Sequence, residues 1–220
     1  MAPTIIDLPA IVGWWECLFD PVVPRDLERM EGRRTESMRF GTPYWRGSWT
    51  TTALTPAQMG ALEAFAMMAG DNGEVFRAYD ASRPRPIDYH TDDHAPLSGT
   101  RAGGGAFDGT ATITGRTAFS LTVSMLPANF QFRAGDYVEV RRSASIISLH
   151  RITADVRASA SGVVTLPIRH GLDLQNFPLP LTANFEKASC LMQVDPGALS
   201  ASKPLIERRA SFTAQEVFFA

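Results

Sequence analysis

From Gly109 to Ile168 the chain is broken into short strand-forming stretches, and this most limits what it can fold into. The stretches are Thr110–Thr114, Leu121–Met125, Asp136–Arg141, Ile146–Val156 and Val163–Ile168, punctuated by Gly115, Ala134-Gly135-Asp136 and Ser161-Gly162. That rhythm is the pattern of a small all-β sandwich or barrel, and no helix is expected in the section. Strand periodicity predicts Leu121, Val123 and Met125 facing inward, against Thr122 and Ser124.

Only Thr55 to Gly70 reads as a helix. Thr55 fits the N-cap, Pro56 the first helical position, and Gln58 completes a capping box with Thr55. Leu54 and Met59 fit a hydrophobic staple, Leu62, Phe65, Ala66 and Ala69 recur at helical spacing, and Gly70 is expected as a left-handed stop. The turn Gly70-Asp71-Asn72-Gly73 leads into a strand around Val75 and Phe76.

Before the helix, Met38 to Thr51 reads as a strand or hairpin. Trp45, Gly47, Trp49 and Thr51 share one face, and Tyr44, Arg46, Ser48 and Thr50 the other. Two readings of Trp45 and Trp49 stand side by side: packing beneath the helix, or a stacking platform for a glycan or base. Ile11 to Phe19, ended by Pro21 and Pro24, fits either a strand or a short buried segment.

Pro84, Pro86, Pro96 and Gly103–Gly105 exclude a continuous helix between Ala81 and Gly109 and predict an exposed connection, the glycines acting as a flexible linker. At the far end, Phe212, Ala214, Glu216 and Phe218 alternate with Ser211, Thr213, Gln215 and Val217. A strand this late is most easily stabilised by joining a sheet begun earlier. The expected architecture is therefore mainly β. Residues 1–95 and 183–220 form a discontinuous β-sandwich with one α-helix at about 55–70, and residues 96–182 form an inserted all-β sandwich or barrel.

Composition narrows the function classes. With 21 basic and 23 acidic residues the formal charge is −2, so no strong field exists to capture nucleic acid. Met1–Ala10 lacks the features of a secretory signal, and no apolar run reaches the roughly 18 residues of a membrane-spanning helix. Cys17 and Cys190 are far apart and are expected as buried free thiols. Asp88, His90, Asp92, Asp93 and His94 crowd seven positions, but Pro86 and Pro96 bracket them and nothing like HExxH is present, so a solvated loop is expected rather than a metal site. No GxSxG elbow or phosphate loop occurs. No catalytic, cofactor or metal residue is assigned, and an enzyme is not expected.

Trp45-Arg46-Gly47-Ser48-Trp49, followed by the helix with Leu62 and Phe65, Gly73 and then Val75-Phe76, resembles the amino-terminal part of distal tail proteins of long-tailed, siphovirus-like phages, whose relatives occur in gene-transfer particles. Gly109–Ile113, Arg133–Tyr137, His150–Val156 and Gly162–Ile168 are similar to a module of siphophage tail-tip proteins, and Ser211–Phe218 resembles their ending. The order of the three carries the resemblance, over most of the chain after residue 38.

The resemblance implies a structural virion protein, made in the host cytoplasm and placed at the tail tip. It implies a homo-hexameric ring joining tail tube protein to hub protein, with the added β module projecting outward and no catalytic residues. A ring requires heterologous contacts, for which Tyr44 and Phe219 are candidates. The alternative is a carbohydrate-binding module, in which the inserted β section or the pair Trp45 and Trp49 contacts a host surface glycan.

Overall fold

The computed structural model describes residues 3–10, 13–70, 74–90, 95–202 and 207–219. Its strands are β1 (Ile5–Asp7), β2 (Trp14–Val22), β3 (Arg25–Arg29), β4 (Thr35–Arg39) and β5 (Tyr44–Thr51), then helix α1 (Pro56–Met68) and β6 (Val75–Tyr79). There follow β7 (Thr110–Arg116), β8 (Ser120–Ser124), β9 (Gln131–Phe132), β10 (Tyr137–Arg141), β11 (Ile147–Ile152), β12 (Val156–Arg157), β13 (Val164–Arg169) and β14 (Leu181–Asn184). The last three are β15 (Ser189–Val194), β16 (Ser200–Ser202) and β17 (Arg209–Glu216). The protein is mainly β with one α-helix, as expected.

Two compact units divide the chain: Ile6–Phe76 with Met192–Val217, and Met1–Ile5 with Arg77–Leu191 and Phe218–Ala220. The helix-bearing unit is thus discontinuous. Residues 77–95 and 183–191, expected in the sandwich, group instead with the inserted part. One reason is β14, which pairs with both β10 and β7 and completes a closed barrel of order β10-β11-β13-β8-β7-β14. A second is a run of polar anchors. Arg85 grips Glu186 through two bonds of 2.8 Å, the Ile87 amide donates to Asp136 at 2.9 Å, and the Tyr89 ring stacks on Phe130 at 4.1 Å. The connection expected to be exposed is therefore strapped to the barrel, with Arg85, Pro86 and Leu97 buried.

The barrel core gathers Ile113, Leu121, Val123, Phe132, Val138 and Leu166 among others. Met125 departs from its expected inward place. β8 ends at Ser124, Met125 takes a φ of 68° and is exposed, and Leu126 fills the core in its stead. Gly103–Gly105 form a closed turn, not a linker: the Arg101 amide donates to the Gly105 carbonyl, and the Arg101 side chain to the Ala106 carbonyl and Asp108.

In the helix-bearing unit the sheet order ends β15-β17-β5-β2. Both halves of the capping box form, with the Thr55 amide donating to Gln58 Oε1 at 2.9 Å and the Gln58 amide to Thr55 Oγ1 at 3.3 Å. Met59, Leu62 and Phe65 are the buried side of α1. Gly70 is not left-handed. It is small because a Cβ there would sit 3.2 Å from the Val194 carbonyl oxygen, whose own amide donates to Ala69. Residues 71–73, the expected turn, lie outside the described residues.

Candidate assembly surface

The two adjacent tryptophans of β2 part company at a bulge. Trp14 pairs with Thr51 and Glu16 with Thr50, which leaves Trp15 as the extra residue. A bulge bends its strand and re-aims a side chain. Trp14 turns toward Phe212, ring centroids 6.2 Å apart, while Trp15 is 74% exposed. Past the bulge, Phe19 is buried and Leu18 exposed. Pro21, read as a terminator, lies within the strand opposite Trp45. It is tolerated because β2 ends the sheet, where a missing N–H costs no ladder bond.

A strand of nine residues at the end of its sheet, with Trp15 and Leu18 uncovered, is a template for pairing with another chain. Beside it, Leu18, Asp20, Val22, Arg46, Gly47, Ser48 and Thr213 line a shallow, open groove. The chain then runs into β3 and β4, which pair only with each other and whose ten residues are all exposed. Leu27, Met30, Met38 and Phe40 stand uncovered there. From the sequence, Trp15 and Leu18 belong to a strand or short buried segment, and residues 25–37 carry no assignment. The available signal was an apolar residue at intervals in a highly charged segment, which looks like solvated surface until its pairing is known.

Trp45 and Trp49, the candidate glycan contacts, do not form a platform. They are 3% and 0% exposed, with Trp45 stacked on Phe19 at 5.3 Å and Trp49 on Phe212 at 5.1 Å. The packing reading accounts for both. Gly47 explains how: a Cβ there would come within 2.1 Å of the Trp49 ring, so the indole lies over a residue that has none. Tyr44 and Phe219 are half-buried, whereas Phe218 is exposed. Cys190 is buried but Cys17 only partly, and no disulfide joins them.

Of the acidic and histidine-rich loop, Asp88 is held by Arg133 Nε at 2.8 Å and Arg133 also reaches Asp155 at 3.0 Å. These carboxylates hold the exposed guanidinium protonated well above its ordinary range. Residues 91–94, including Asp92, Asp93 and His94, lie outside the described residues, and His90 follows a short 3-10 turn. Among the described residues no group of three or more His, Cys, Asp or Glu is arranged to hold a metal, and no helix is long and apolar enough to cross a membrane.

Several buried polar groups in the barrel unit are satisfied within it. Tyr137 donates to Asp80 at 2.9 Å and accepts from Arg151 at 2.7 Å and Arg83 at 3.0 Å, and burial pushes its phenol up to about 12. Glu139, wholly buried, accepts from Arg141, Asn184 and Ser189. His150 contacts the His170 carbonyl through Nδ1 at 3.1 Å and Ser148 through Nε2 at 2.9 Å. Because a carbonyl only accepts, Nδ1 carries the proton and Nε2 accepts from the hydroxyl. Burial keeps this ring neutral, with its pKa lowered to about 4. In the helix-bearing unit, Glu216 accepts from the Trp45 amide at 2.9 Å, and burial raises its pKa to about 8. These are fixed, internally paired groups of the kind that define a core. The helix-bearing unit leaves apolar and charged surface uncovered at β2 and along β3 and β4, and the barrel unit also exposes apolar side chains, Phe119 and Met125 among them. No protein-family model matches the chain, and no curated protein matches it.

Proposed function

We propose that this chain is a structural component of a phage tail tip, a distal tail protein that forms a six-membered ring between the tail tube and the hub. The observation that carries the reading is the place of β2 as the last strand of its sheet among the described residues, with Trp15 and Leu18 uncovered. Such an edge is costly to leave open and suits a repeated subunit contact. The order of sequence features supports the same reading: a strand-and-helix start, an inserted all-β section and a closing strand. Trp45 and Trp49 are buried, so the glycan-binding alternative lacks its two named contacts.

Native mass measurement of the purified chain tests the ring. The expected species is six copies of a 24.0 kDa chain, alone or once tail-tube protein is added. A chain that stays monomeric in both conditions and never joins tail components contradicts the proposal.

A further inference from the structure

The register of the β3–β4 hairpin sorts its charges by sign. Arg25 pairs with Arg39, Leu27 with Ser37 and Arg29 with Thr35, while Asp26 pairs with Met38 and Glu28 with Glu36. Directly paired residues share a face, and successive residues alternate. One face therefore carries Arg25, Arg29 and Arg39 around Leu27, and the other carries Asp26, Glu28 and Glu36 around Met38. Leu27 is 58% exposed and Met38 72%. Three positive charges frame one apolar side chain, and three negative charges frame the other.

Nothing among the described residues answers these charges. Among the described residues, none of the six takes part in a salt bridge or a side-chain hydrogen bond. Arg25 against Arg39 and Glu28 against Glu36 are like-charge pairs, each of which destabilises a ladder. A two-stranded hairpin is at best marginally stable alone, so a layout with repulsion on both faces gains from an outside partner.

We infer that the hairpin is a self-complementary docking element: the acidic face of one copy seats on the basic face of the next copy's hairpin, with Met38 and Leu27 meeting at the centre. The occupant is a second copy of this chain because the two faces are complementary to each other in charge number, sign and central apolar residue. An uncharged centre within a charged rim is the ordinary anatomy of an interface. Pairing of like faces sets like charges against one another, which excludes a symmetric two-fold contact and leaves head-to-tail propagation into a ring or filament. The charges and register carry this inference without the family resemblance. It also deepens the ring proposal by naming a subunit contact.

Charge reversal tests it, read as assembly mass by light scattering at low and high salt. R25E/R29E/R39E makes both faces acidic, and D26R/E28R/E36R makes both basic. Each variant alone is expected to assemble at least about tenfold more weakly than wild type, while their equimolar mixture recovers assembly as alternating, even-numbered species. Wild-type assembly is expected to weaken with salt. All six positions are exposed, so near-ultraviolet circular dichroism of both variants should match wild type and separate lost docking from lost folding. Single-face variants that assemble as tightly as wild type, or a mixture that stays dissociated, overturn the inference. A wild-type hexamer indifferent to both reversals removes the hairpin contact and leaves the ring proposal standing. Hairpin-dependent assembly of another stoichiometry does the opposite, and a wild-type chain that remains monomeric overturns both.

Discussion

The two units solve the strand-edge problem in opposite ways. The barrel closes on itself through β14, so its six strands have no free edge, and its buried charges are answered internally. The helix-bearing unit ends in β2 with one edge open and carries a hairpin exposed on both faces. A closed barrel holds its shape alone. On the proposal made above, the open sheet with uncovered Trp15 and Leu18 is completed by another subunit. The difference is why the proposed assembly is placed on the open unit rather than on the barrel strands.

The largest way to break the comparison is through the aromatic core of the open unit. Trp49→Ala removes a fully buried indole and is expected to cost about 3–5 kcal/mol, unfolding this unit first. All four tryptophans, Trp14, Trp15, Trp45 and Trp49, lie in it, so tryptophan fluorescence of a Trp49→Phe reference and the alanine variant follows this unit alone. Barrel amides should keep their exchange protection in the variant. Next comes Gly47→Ala, which drives a Cβ into the Trp49 ring and is expected to cost about 2–3 kcal/mol by overpacking, measured as a lower denaturant midpoint.

The units also differ in their response to pH, by opposite signs. Glu216 holds its proton to about pH 8 when folded but only to its ordinary 4.5 when unfolded. Across that window the unfolded chain has released a proton that the folded chain retains, so the helix-bearing unit loses stability as pH rises. Glu216→Gln keeps an acceptor for the Trp45 amide and is expected to stabilise the unit at pH 8 by about 1–2 kcal/mol, with no gain below pH 4.5. His150 reverses the sign. Folded, it stays neutral down to about 4, whereas unfolded it protonates near 6.5, so the barrel loses stability as pH falls between those values. Thermal melts followed by tryptophan fluorescence and by barrel amide exchange should shift in opposite directions with pH. The smallest expected effect is on the edge itself: Trp15→Ser with Leu18→Ser changes monomer stability by under about 0.5 kcal/mol, read by the same melts, while weakening assembly.

Much of the fold was legible because local chemistry and burial agree. The β5 alternation placed Trp45, Gly47, Trp49 and Thr51 on the buried face, and Thr55, Pro56 and Gln58 marked the start of α1. The unit boundary was hidden because Leu181–Asn184 earns its place by pairing with β7 and β10, strands distant in sequence. The grip of Glu186 on Arg85 is likewise a contact across 101 positions. The candidate surface was least visible. Residues 25–39 read as mixed charge that cancels, and only cross-strand register separates the arginines from the carboxylates. Near-neutral net charge excluded a field around the whole molecule, but it concealed two local ones.

Hydrogen exchange on the wild-type chain, compared between dilute and assembled samples, tests most directly whether the open unit is where subunits meet. The account predicts that amides of residues 14–22 and 25–39 gain protection on assembly while those of β7, β8, β10, β11, β13 and β14 do not change. Protection gained in the barrel strands, with the β2 edge and the hairpin still exchanging freely, would contradict it.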